Sequence, residues 1–231
     1  MGLGRRESAA DVARNLSRLV DAIVLRTFAH ETLTEMAAAA SVPVVNALTD
    51  AEHPCQALAD LLTLRRRFGR LAGLRLAYVG DGNNVANSLM LAGALAGLDV
   101  RIATPAGYAP DATFIERARE LAAQHRTRIS VGTDPLEAVA GADAVYTDVW
   151  ASMGREDEVD ERRLRFAGFE VTERLLAHAA PHVVALHCMP AHRGEEISAA
   201  VLDGPRSLAL EQAQNRRHVQ EALLIALLGP R

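Results

Sequence analysis

Short runs rich in β-branched residues alternate with longer stretches rich in alanine and leucine along most of this chain of 231 residues. The short runs have the length of buried strands, and the longer stretches carry apolar residues at the spacing of amphipathic helices. Such alternation is typical of βα units around a mainly parallel sheet. It therefore predicts an α/β fold, in a chain long enough to bury a substantial core.

The alternation also places the individual elements. The predicted strands lie near Ala22–Leu25, Val42–Val45, Leu74–Val79, Val100–Ala103, Ile129–Val131, Ala144–Tyr146 and Val183–Leu186. The predicted helices lie near Ala10–Val20, Thr32–Ala40, Pro54–Phe68, Val85–Ala96, Asp111–Gln124 and Glu211–Leu228. Apolar residues at helical spacing predict one buried face on the last helix, formed by Val219, Ala222, Leu223, Ala226 and Leu227.

The charged residues exclude several kinds of chemistry. The net charge is -4 and all 25 basic residues are arginine, so the chain lacks the basic surface expected of a protein that binds nucleic acid or an anionic membrane. Without lysine the chain cannot form a Schiff base through its own side chains or complete a phosphate-binding P-loop. Any phosphate must be held by arginine, backbone N–H groups or neutral side chains.

The two cysteines, Cys55 and Cys188, are far apart in the sequence and do not suggest a disulfide framework. We find neither a charged-then-apolar leader nor an apolar run of the roughly 18 residues that a membrane span requires. We therefore expect a cytoplasmic protein that makes no contact with membranes.

Polar residues with useful chemistry follow the predicted strands. Arg26, Asn46, the turn Gly80–Asn84, Asp148 and the pair His187–Cys188 all lie just past a strand end. In open α/β sheets, ligands bind where the carboxyl ends of the strands and the helix N-termini converge. These residues are therefore candidates for one binding crevice.

The segment His53–Gln56 opens a predicted helix directly after a strand and a short loop. Proline in the first turn is preorganised for a helix, and the free N–H groups there attract anions. His53 and Gln56 add neutral hydrogen-bonding groups, while Cys55 is interpreted as a packing residue. An ordinary helix start explains this segment equally well.

The turn Gly80–Asn84 is similar to the start of the dinucleotide-binding pattern G-x-G-x-x-G, but Val85 replaces the third glycine. The next strand ends at Thr104–Pro105 without an acidic residue to hold a ribose, so a nicotinamide dehydrogenase is poorly supported. Paired asparagine side chains at a helix N-terminus instead suit a small zwitterion such as an amino acid.

Two further segments carry groups that recognise amines. The first segment begins at Asp148 and continues through Trp150 to Ser152, Met153 and Gly154. The Asp148 carboxylate could hold an ammonium group, and the residues after it could form a loop that closes over the ligand. Alternatively, Asp148 only caps the following turn. Cys188, beside His187, is a candidate nucleophile, zinc ligand or hydrogen-bonding partner for an amine. No second cysteine pair supports zinc, and no oxyanion signature supports a thiol protease.

Two arginines, Arg26 and Arg216, are candidates for stabilising an oxyanion or binding phosphate, although a lone arginine is usually a solvated surface residue.

Taken together and in order, the segments resemble the ornithine carbamoyltransferase family from about Leu3 onward. His53-Pro54-Cys55-Gln56 is similar to its carbamoyl-phosphate motif, and His187-Cys188-Met189-Pro190 to its H-C-[LM]-P motif. Asp148 to Gly154 and Gly80 to Asn84 are similar to its D-x-W-x-S-M-G loop and G-D-G-x-N turn.

The resemblance implies a role for each matching residue. Carbamoyl phosphate would be bound by Arg26, His53, Pro54, Cys55, Gln56, Cys188, Met189 and Arg216. Ornithine would be bound by Asn84, Asp148, Ser152 and Met153. Catalysis would rest on Arg26, His53, Asp148 and Cys188, and neither a metal nor a cofactor is expected. The products would be citrulline and phosphate, as part of arginine metabolism, and the absence of lysine argues against the aspartate-using sister family.

The resemblance also implies an architecture of two Rossmann-like parallel-sheet domains. Residues 1–68 would be the remainder of the carbamoyl-phosphate domain, 69–210 the ornithine domain, and 211–231 a C-terminal helix that packs back across both. The family's S-x-R-T-R signature is missing and Gly2 replaces its phosphate-contacting glutamine, so we expect an incomplete first domain. A homo-oligomer, typically a trimer, is implied. The alternative is a truncated, catalytically impaired fragment that retains ornithine binding or oligomerisation.

Overall fold

The computed structural model describes residues 7–151 and 156–229. Within them, the strands are β1 (Ile23–Arg26), β2 (Val44–Leu48), β3 (Arg75–Val79), β4 (Asp99–Ala103), β5 (Ile129–Gly132), β6 (Ala144–Thr147) and β7 (Val184–His187). The helices are α1 (Ala9–Leu16), α2 (His30–Ala39), α3 (Pro54–Phe68), α4 (Asn84–Leu95), α5 (Ala112–His125), α6 (Pro135–Val139), α7 (Val159–Arg165), α8 (Glu173–Leu176), α9 (Ala199–Leu202) and α10 (Ala209–Leu228). The α/β class is confirmed.

The strands form two parallel sheets. β1 pairs with β2 in a two-stranded sheet, and the other five strands form a sheet in the order β5-β4-β3-β6-β7. The strand order reverses at β3, because β4 lies on one side of it and β6 on the other. Open sheets bind ligands outside the carboxyl ends of the strands at such a reversal. The turn after β3 and the loop after β6 therefore meet at the predicted crevice.

The five-stranded sheet is buried on both faces. Leu76, Tyr78 and Tyr146 point into a core shared with α4 and α5, whereas Ala77 and Val145 point into a second core that includes Phe166. A parallel sheet covered on both faces has continuous apolar strands instead of alternating ones. This is why the short apolar runs in the sequence indicated its strands so directly.

The predicted strands are confirmed, with shifts of a few residues at their ends. Arg26 and His187 are the last residues of β1 and β7 instead of following them, and Asn46 lies inside β2. β2 extends further than predicted because Leu48 pairs with Arg26 across a register shift in β1. α3 begins and ends at the predicted residues, and its last turn carries arginines that are exposed.

The prediction of a buried apolar face on the last helix is wrong. The buried residues of α10 are Ala209, Gln212 and Asn215, near its start. Gln212 and Asn215 donate hydrogen bonds to side chains of α3, so this helix pair is joined by polar groups. The residues predicted to be buried are half-buried or exposed among the described residues, because they lie beyond this contact: Val219, Ala222, Leu223, Ala226 and Leu227.

Four short helices, α6 to α9, were not predicted from the sequence. They contain four to seven residues, too few for an apolar period to be visible. Three of them nevertheless begin after a residue whose side chain accepts a hydrogen bond from the first turn, namely Asp134, Thr172 and Ser198. Capping residues were therefore the available signal for these helices.

Candidate active site

A cleft of about 1240 Å³ lies where the carboxyl ends of strands from both sheets meet. It is lined by seven of the predicted site residues: Arg26, His53, Asn84, Asp148, Cys188, Met189 and Arg216. Pro54, Cys55 and Gln56 are not among the lining residues, and they form the first turn of α3 behind His53. Ser152 and Met153 lie outside the described residues. Residues separated widely in sequence therefore converge on one surface.

The start of α3 fixes the floor of the cleft. His53 is the N-cap residue and Pro54 occupies the first turn, as expected from the fixed φ of proline. The backbone N–H of His53 donates to the Ser88 hydroxyl of α4 at 2.8 Å. Cys55 is buried and its thiol contacts the Asn46 carbonyl oxygen at 3.4 Å. Its pKa is raised by burial, which suits a packing residue and not a nucleophile.

Arg216 joins the last helix to the start of α3. Its Nη1 atom lies 3.2 Å from His53 Nε2 and 2.5 Å from Gln56 Oε1. Gln56 is almost fully buried, so it orients the guanidinium from beneath. Together with Arg26 from β1, these residues form a positively charged region, which we call the cationic half of the cleft and define by Arg26, His53 and Arg216. Such a region suits an anionic ligand.

The charge state of His53 follows from its surroundings. Burial, followed by the charges of Arg216 and Arg26, lowers the pKa of His53 to about 4. The ring is therefore neutral at pH 7, and Nε2 faces the donor Nη1 of Arg216 as an acceptor. The proton then resides on Nδ1, which is buried and has no hydrogen-bond partner among the described residues. A neutral imidazole lets two arginines lie near it without a third positive charge.

This lowered pKa predicts how stability changes with pH. Because folded His53 resists protonation, the unfolded chain binds more protons between pH 6.5 and about 4, and stability is lost as the pH falls through this window. The variant His53→Gln keeps an acceptor for Arg216, and we expect it to lack this loss, which is at most about 3 kcal/mol. Urea unfolding at a series of pH values measures the difference.

The matched control is His125→Gln, at an exposed residue at the end of α5. The stability of this variant should depend on pH in the same way as that of the wild type. A His53→Gln profile parallel to that of the wild type between pH 6.5 and 4 would contradict the assignment of a neutral His53.

Asp148 organises the opposite half of the cleft. Its Oδ2 atom accepts from the Asn83 side chain at 2.8 Å, while its Oδ1 atom accepts from the Val149 N–H at 2.8 Å and from the Cys188 thiol at 3.0 Å. Asn83 is also the N-cap of α4, so one amide positions both the helix and the carboxylate. We call Asn83, Asp148 and Cys188 the acidic half of the cleft. Asn84 lies beside it and donates to the Thr49 carbonyl oxygen at 2.6 Å.

Cys188 is a neutral thiol in this setting. Burial raises its pKa well above the usual range, and the neighbouring Asp148 carboxylate raises it further. A nucleophilic cysteine requires the opposite surroundings, since the thiolate is the reactive form. The thiol therefore acts as a hydrogen-bonding group within the acidic half of the cleft.

The ligand atoms of Asp148, His187 and Cys188 lie within 4.8 Å of one another, which raises the question of a metal site. Both ring nitrogens of His187 have other partners, because Nε2 lies 3.0 Å from Glu196 Oε1 and Nδ1 accepts from the Met189 N–H at 2.9 Å. A histidine ligand needs a free nitrogen lone pair. The donor set therefore does not favour a metal, and its absence stays a prediction.

The glycine turn after β3 is closed to a dinucleotide. A Cβ atom on Gly82 would collide with the backbone of Tyr108, Ala109 and Pro110, so the glycine permits close packing of this loop. The Gly82 N–H donates to the Tyr108 carbonyl oxygen at 2.9 Å. In a dinucleotide-binding site, the backbone of such a glycine turn must approach the pyrophosphate. The interpretation of the chain as a nicotinamide dehydrogenase rested on this motif alone, and the geometry of the turn does not support it.

Several residues that build the site were not predicted from the sequence. Arg162 is buried and its guanidinium bonds to Asp81, Glu158 and the Trp150 carbonyl oxygen at 2.7 to 2.8 Å, tying the segment after β6 to the turn after β3. It lies in a run of charged residues that had the composition of a solvated surface. Sequence reasoning also missed a set of buried polar residues behind the cleft: Asp60, Ser88, Tyr146 and Gln212.

Comparisons with known proteins agree with this geometry. The family model for the aspartate/ornithine carbamoyltransferase Asp/Orn binding domain matches residues 72–227. The model for the carbamoyl-P binding domain of the same family matches residues 1–66. Together the two models span nearly the whole chain.

Individual relatives point to one branch of the family. The chain is 59% identical to the ornithine carbamoyltransferase of Acidothermus cellulolyticus over 98% of its length and 72% of that protein. It superposes on an ornithine carbamoyltransferase structure from Pyrococcus furiosus with a TM-score of 0.96 and 48% identity, covering 100% of this chain and 74% of the other. The corresponding structure from Thermus thermophilus gives a TM-score of 0.87 and 50% identity, covering 99% and 74%. The chain therefore belongs to the aspartate/ornithine carbamoyltransferase family, and within it to the ornithine carbamoyltransferases.

Proposed function

We propose that this protein transfers the carbamoyl group of carbamoyl phosphate to the side-chain amine of L-ornithine, giving L-citrulline and phosphate. The observation that carries the proposal is the division of the cleft into a cationic half and an acidic half, in which the Cys188 thiol lies 3.0 Å from Asp148 Oδ1. One half suits a phosphate-bearing substrate and the other suits a substrate with amino groups. The comparisons favour this activity over the alternative of an impaired ornithine-binding fragment.

In the cationic half, Arg216 and Arg26 bind the phosphate and carbamoyl oxygens of carbamoyl phosphate. Neutral His53 lies beside the carbamoyl group, and the first turn of α3, from Pro54 through Cys55 to Gln56, supports this side of the cleft. In the acidic half, Asp148 and Asn84 hold ornithine. Ser152 and Met153 complete the ornithine site, and Met189 together with Cys188 borders both substrates.

The chemistry that follows is a direct displacement. The unprotonated amine attacks the carbamoyl carbon and forms the C–N bond, while negative charge develops on the carbamoyl oxygen near Arg26 and His53. The C–O bond to phosphate then breaks, phosphate leaves, and the nitrogen loses a proton. Holding two reactants in line removes much of the entropic part of the barrier, up to about 7–11 kcal/mol for ideal alignment. Oxyanion stabilisation by fixed donors lowers the barrier further.

Three further expectations stay predictions. Residues 1–68, 69–210 and 211–231 are proposed as the carbamoyl-phosphate domain, the ornithine domain and the returning helix. A homo-oligomer, as a trimer, and a cytoplasmic location are proposed from the resemblance and from the sequence. No helix in residues 7–151 and 156–229 combines the length and the apolar character needed to cross a membrane.

The decisive test is product formation. With carbamoyl phosphate and L-ornithine, the purified protein should release phosphate and L-citrulline in equal amounts, whereas L-aspartate should give no carbamoylated product. Citrulline is the better readout, because carbamoyl phosphate also decomposes without an enzyme. The control is the double variant with Arg26→Ala and Cys188→Ala. Citrulline formation no higher than that of the double variant would contradict the proposed function.

A further inference from the structure

In the described part of the chain, β7 is an edge strand of the five-stranded sheet. An edge strand presents N–H and C=O groups that no neighbouring strand can pair. The segment before α10 covers part of this edge, because the Ala185 N–H donates to the Arg206 carbonyl oxygen at 2.8 Å and the Leu208 N–H donates to the Ala185 carbonyl oxygen at 2.9 Å. The chain then enters α10, so its backbone turns away before it reaches the last residue of β7, His187.

A side chain of α10 replaces the backbone at that point. Gln212 accepts with its Oε1 atom from the His187 N–H at 3.0 Å. It has no exposed surface and is not among the residues that line the cleft. Cys188 directly follows His187, and its thiol lies 3.0 Å from Asp148 Oδ1. The Gln212 oxygen therefore fixes the backbone one residue before a member of the acidic half.

The amide nitrogen of Gln212 reaches toward the other half of the cleft. Its Nε2 atom donates to Asp60 Oδ1 on α3 at 2.6 Å and to the Tyr146 hydroxyl oxygen at 3.0 Å. The same oxygen of Asp60 accepts from the Gln56 side chain at 2.8 Å, and Gln56 Oε1 accepts from Arg216 Nη1 at 2.5 Å. An unbroken series of hydrogen bonds thus joins Gln212 to the cationic half.

The two partners of Gln212 leave its amide only one orientation. The His187 N–H can only donate, and the Asp60 carboxylate can only accept. Oε1 must therefore face β7, and Nε2 must face α3. An apolar side chain here would leave two buried polar groups without a partner, which is costly at this depth. One buried amide consequently supports both halves of the cleft.

We propose that Gln212 is a positioning residue for carbamoyl transfer, which holds Cys188 and the start of α3 at the separation that the two substrates require; this inference rests on the proposed function. Gln212 acts through the His187 backbone and the Asp60 carboxylate, since it does not line the cleft. The rate of reaction between two bound molecules depends steeply on their alignment, and a misplacement of about 1 Å can cost 100-fold.

Two variants of Gln212 separate its hydrogen bonds from its bulk. Gln212→Met keeps the length of the side chain but neither polar group, and its kcat for citrulline formation should fall by about 100-fold. Gln212→Glu keeps the acceptor for the His187 N–H. Burial already raises the pKa of Asp60 to about 7, and a second carboxyl beside it raises the pKa of the pair further, so the pair retains one shared proton at pH 7.

That shared proton replaces the lost donor, so at pH 7 the kcat of Gln212→Glu should stay within about tenfold of the wild type. If Gln212 only filled the space between α10 and α3, the two variants would rank in the opposite order. Methionine would pack in that space, whereas a second buried carboxyl would disturb it. A Gln212→Met protein more active than Gln212→Glu overturns the proposal.

The matched control is Thr63→Val on α3. Thr63 is buried, and its hydroxyl oxygen accepts from the Asn215 side chain at 2.8 Å, so this variant also removes a hydrogen bond between α10 and α3. That bond does not involve β7 or Asp60. Thr63→Val should lower the unfolding temperature and leave kcat largely unchanged. A loss of kcat as large as that of Gln212→Met would assign the effect to helix docking and overturn the proposal.

Amide hydrogen exchange tests the positioning without turnover. In the unliganded protein, the His187 amide proton should exchange about tenfold faster in Gln212→Met, measured against the Ala185 amide as an internal reference, because one buried hydrogen bond is lost. Its exchange should keep the wild-type rate in Gln212→Glu and Thr63→Val. Unchanged exchange in Gln212→Met overturns the proposal even if kcat falls.

The same measurement separates this inference from the proposed function. If the His187 amide responds as expected but the wild type makes no citrulline, the proposed function fails, and the inference is overturned as a statement about that reaction. If the wild type makes citrulline but the His187 amide does not respond, only the role of Gln212 is overturned.

Discussion

Replacing Arg216 by alanine should lower kcat/KM for carbamoyl phosphate by about 100- to 1000-fold, the cost of removing one preorganised donor from an oxyanion site. The expectation rests on the way this side chain is held, with Nη1 at 2.5 Å from Gln56 Oε1 and 3.2 Å from His53 Nε2. Because Gln56 and His53 already hold the Arg216 guanidinium in place, this side chain does not have to reorganise when the substrate binds. The variant also leaves a buried amide oxygen on Gln56 without its donor.

The matched control is the neighbouring residue Arg217, whose exposed side chain pairs with Glu221 one turn along the same helix. Arg217→Ala should change kcat/KM by less than twofold, since exposed ion pairs contribute little. Arg216→Lys should give an intermediate loss, because it keeps the charge without the planar fork of donors. Steady-state kinetics with varied carbamoyl phosphate measures all three variants. Equal effects at Arg216 and Arg217 would contradict the assignment of the cationic half.

Asp148→Asn should produce the second large effect, on ornithine. Removing one partner of a buried charged pair costs about 2–5 kcal/mol, which corresponds to roughly 30-fold to several-thousand-fold in kcat/KM for ornithine. The asparagine also places an amide N–H₂ group where Asp148 accepts from Asn83, Val149 and Cys188, so one donor must face another donor. The KM for carbamoyl phosphate should change far less, because the cationic half is untouched.

Asp203→Asn serves as the control for Asp148→Asn. Asp203 is exposed and pairs with Arg193 on the surface, away from the cleft-lining residues. Its variant should match the wild type for both substrates. Thermal unfolding of each variant separates a loss of ornithine binding from a loss of folding. Parallel losses for both substrates in a well-folded Asp148→Asn protein would contradict the division of the cleft.

The regular part of the fold was visible in the sequence because the five-stranded sheet is buried on both faces. Runs such as Leu76–Val79 are continuously apolar for that reason, and α3 carried both a proline at its start and arginines at its end. The last helix misled the prediction, since periodicity reports which residues share a face and not what covers that face. The contact between α10 and α3 is made by Gln212 and Asn215, which a hydrophobic pattern ignores.

Only the side chains that line the cleft could be predicted from the sequence. Arg26, Asp148 and Cys188 were found because polar residues at strand ends converge on one crevice. The residues that hold them were not found, because nothing local marks them. Arg162 belongs to a charged run, and Asp60 looks like an ordinary polar residue of an amphipathic helix. Both are buried through contacts with residues far away in sequence, which no periodicity encodes.

The contact between Arg216 and His53 joins residues 163 positions apart in the chain. During synthesis at about 5–20 residues per second, the ribosome needs roughly 10 to 30 seconds to add the residues between them. Throughout that interval the nascent chain carries His53, Gln56 and Asp60 without the arginine and glutamine of α10 that complete their surroundings. Carbamoyl phosphate therefore meets an incomplete cationic half on the growing chain, and the full site forms only when the last helix has emerged and docked.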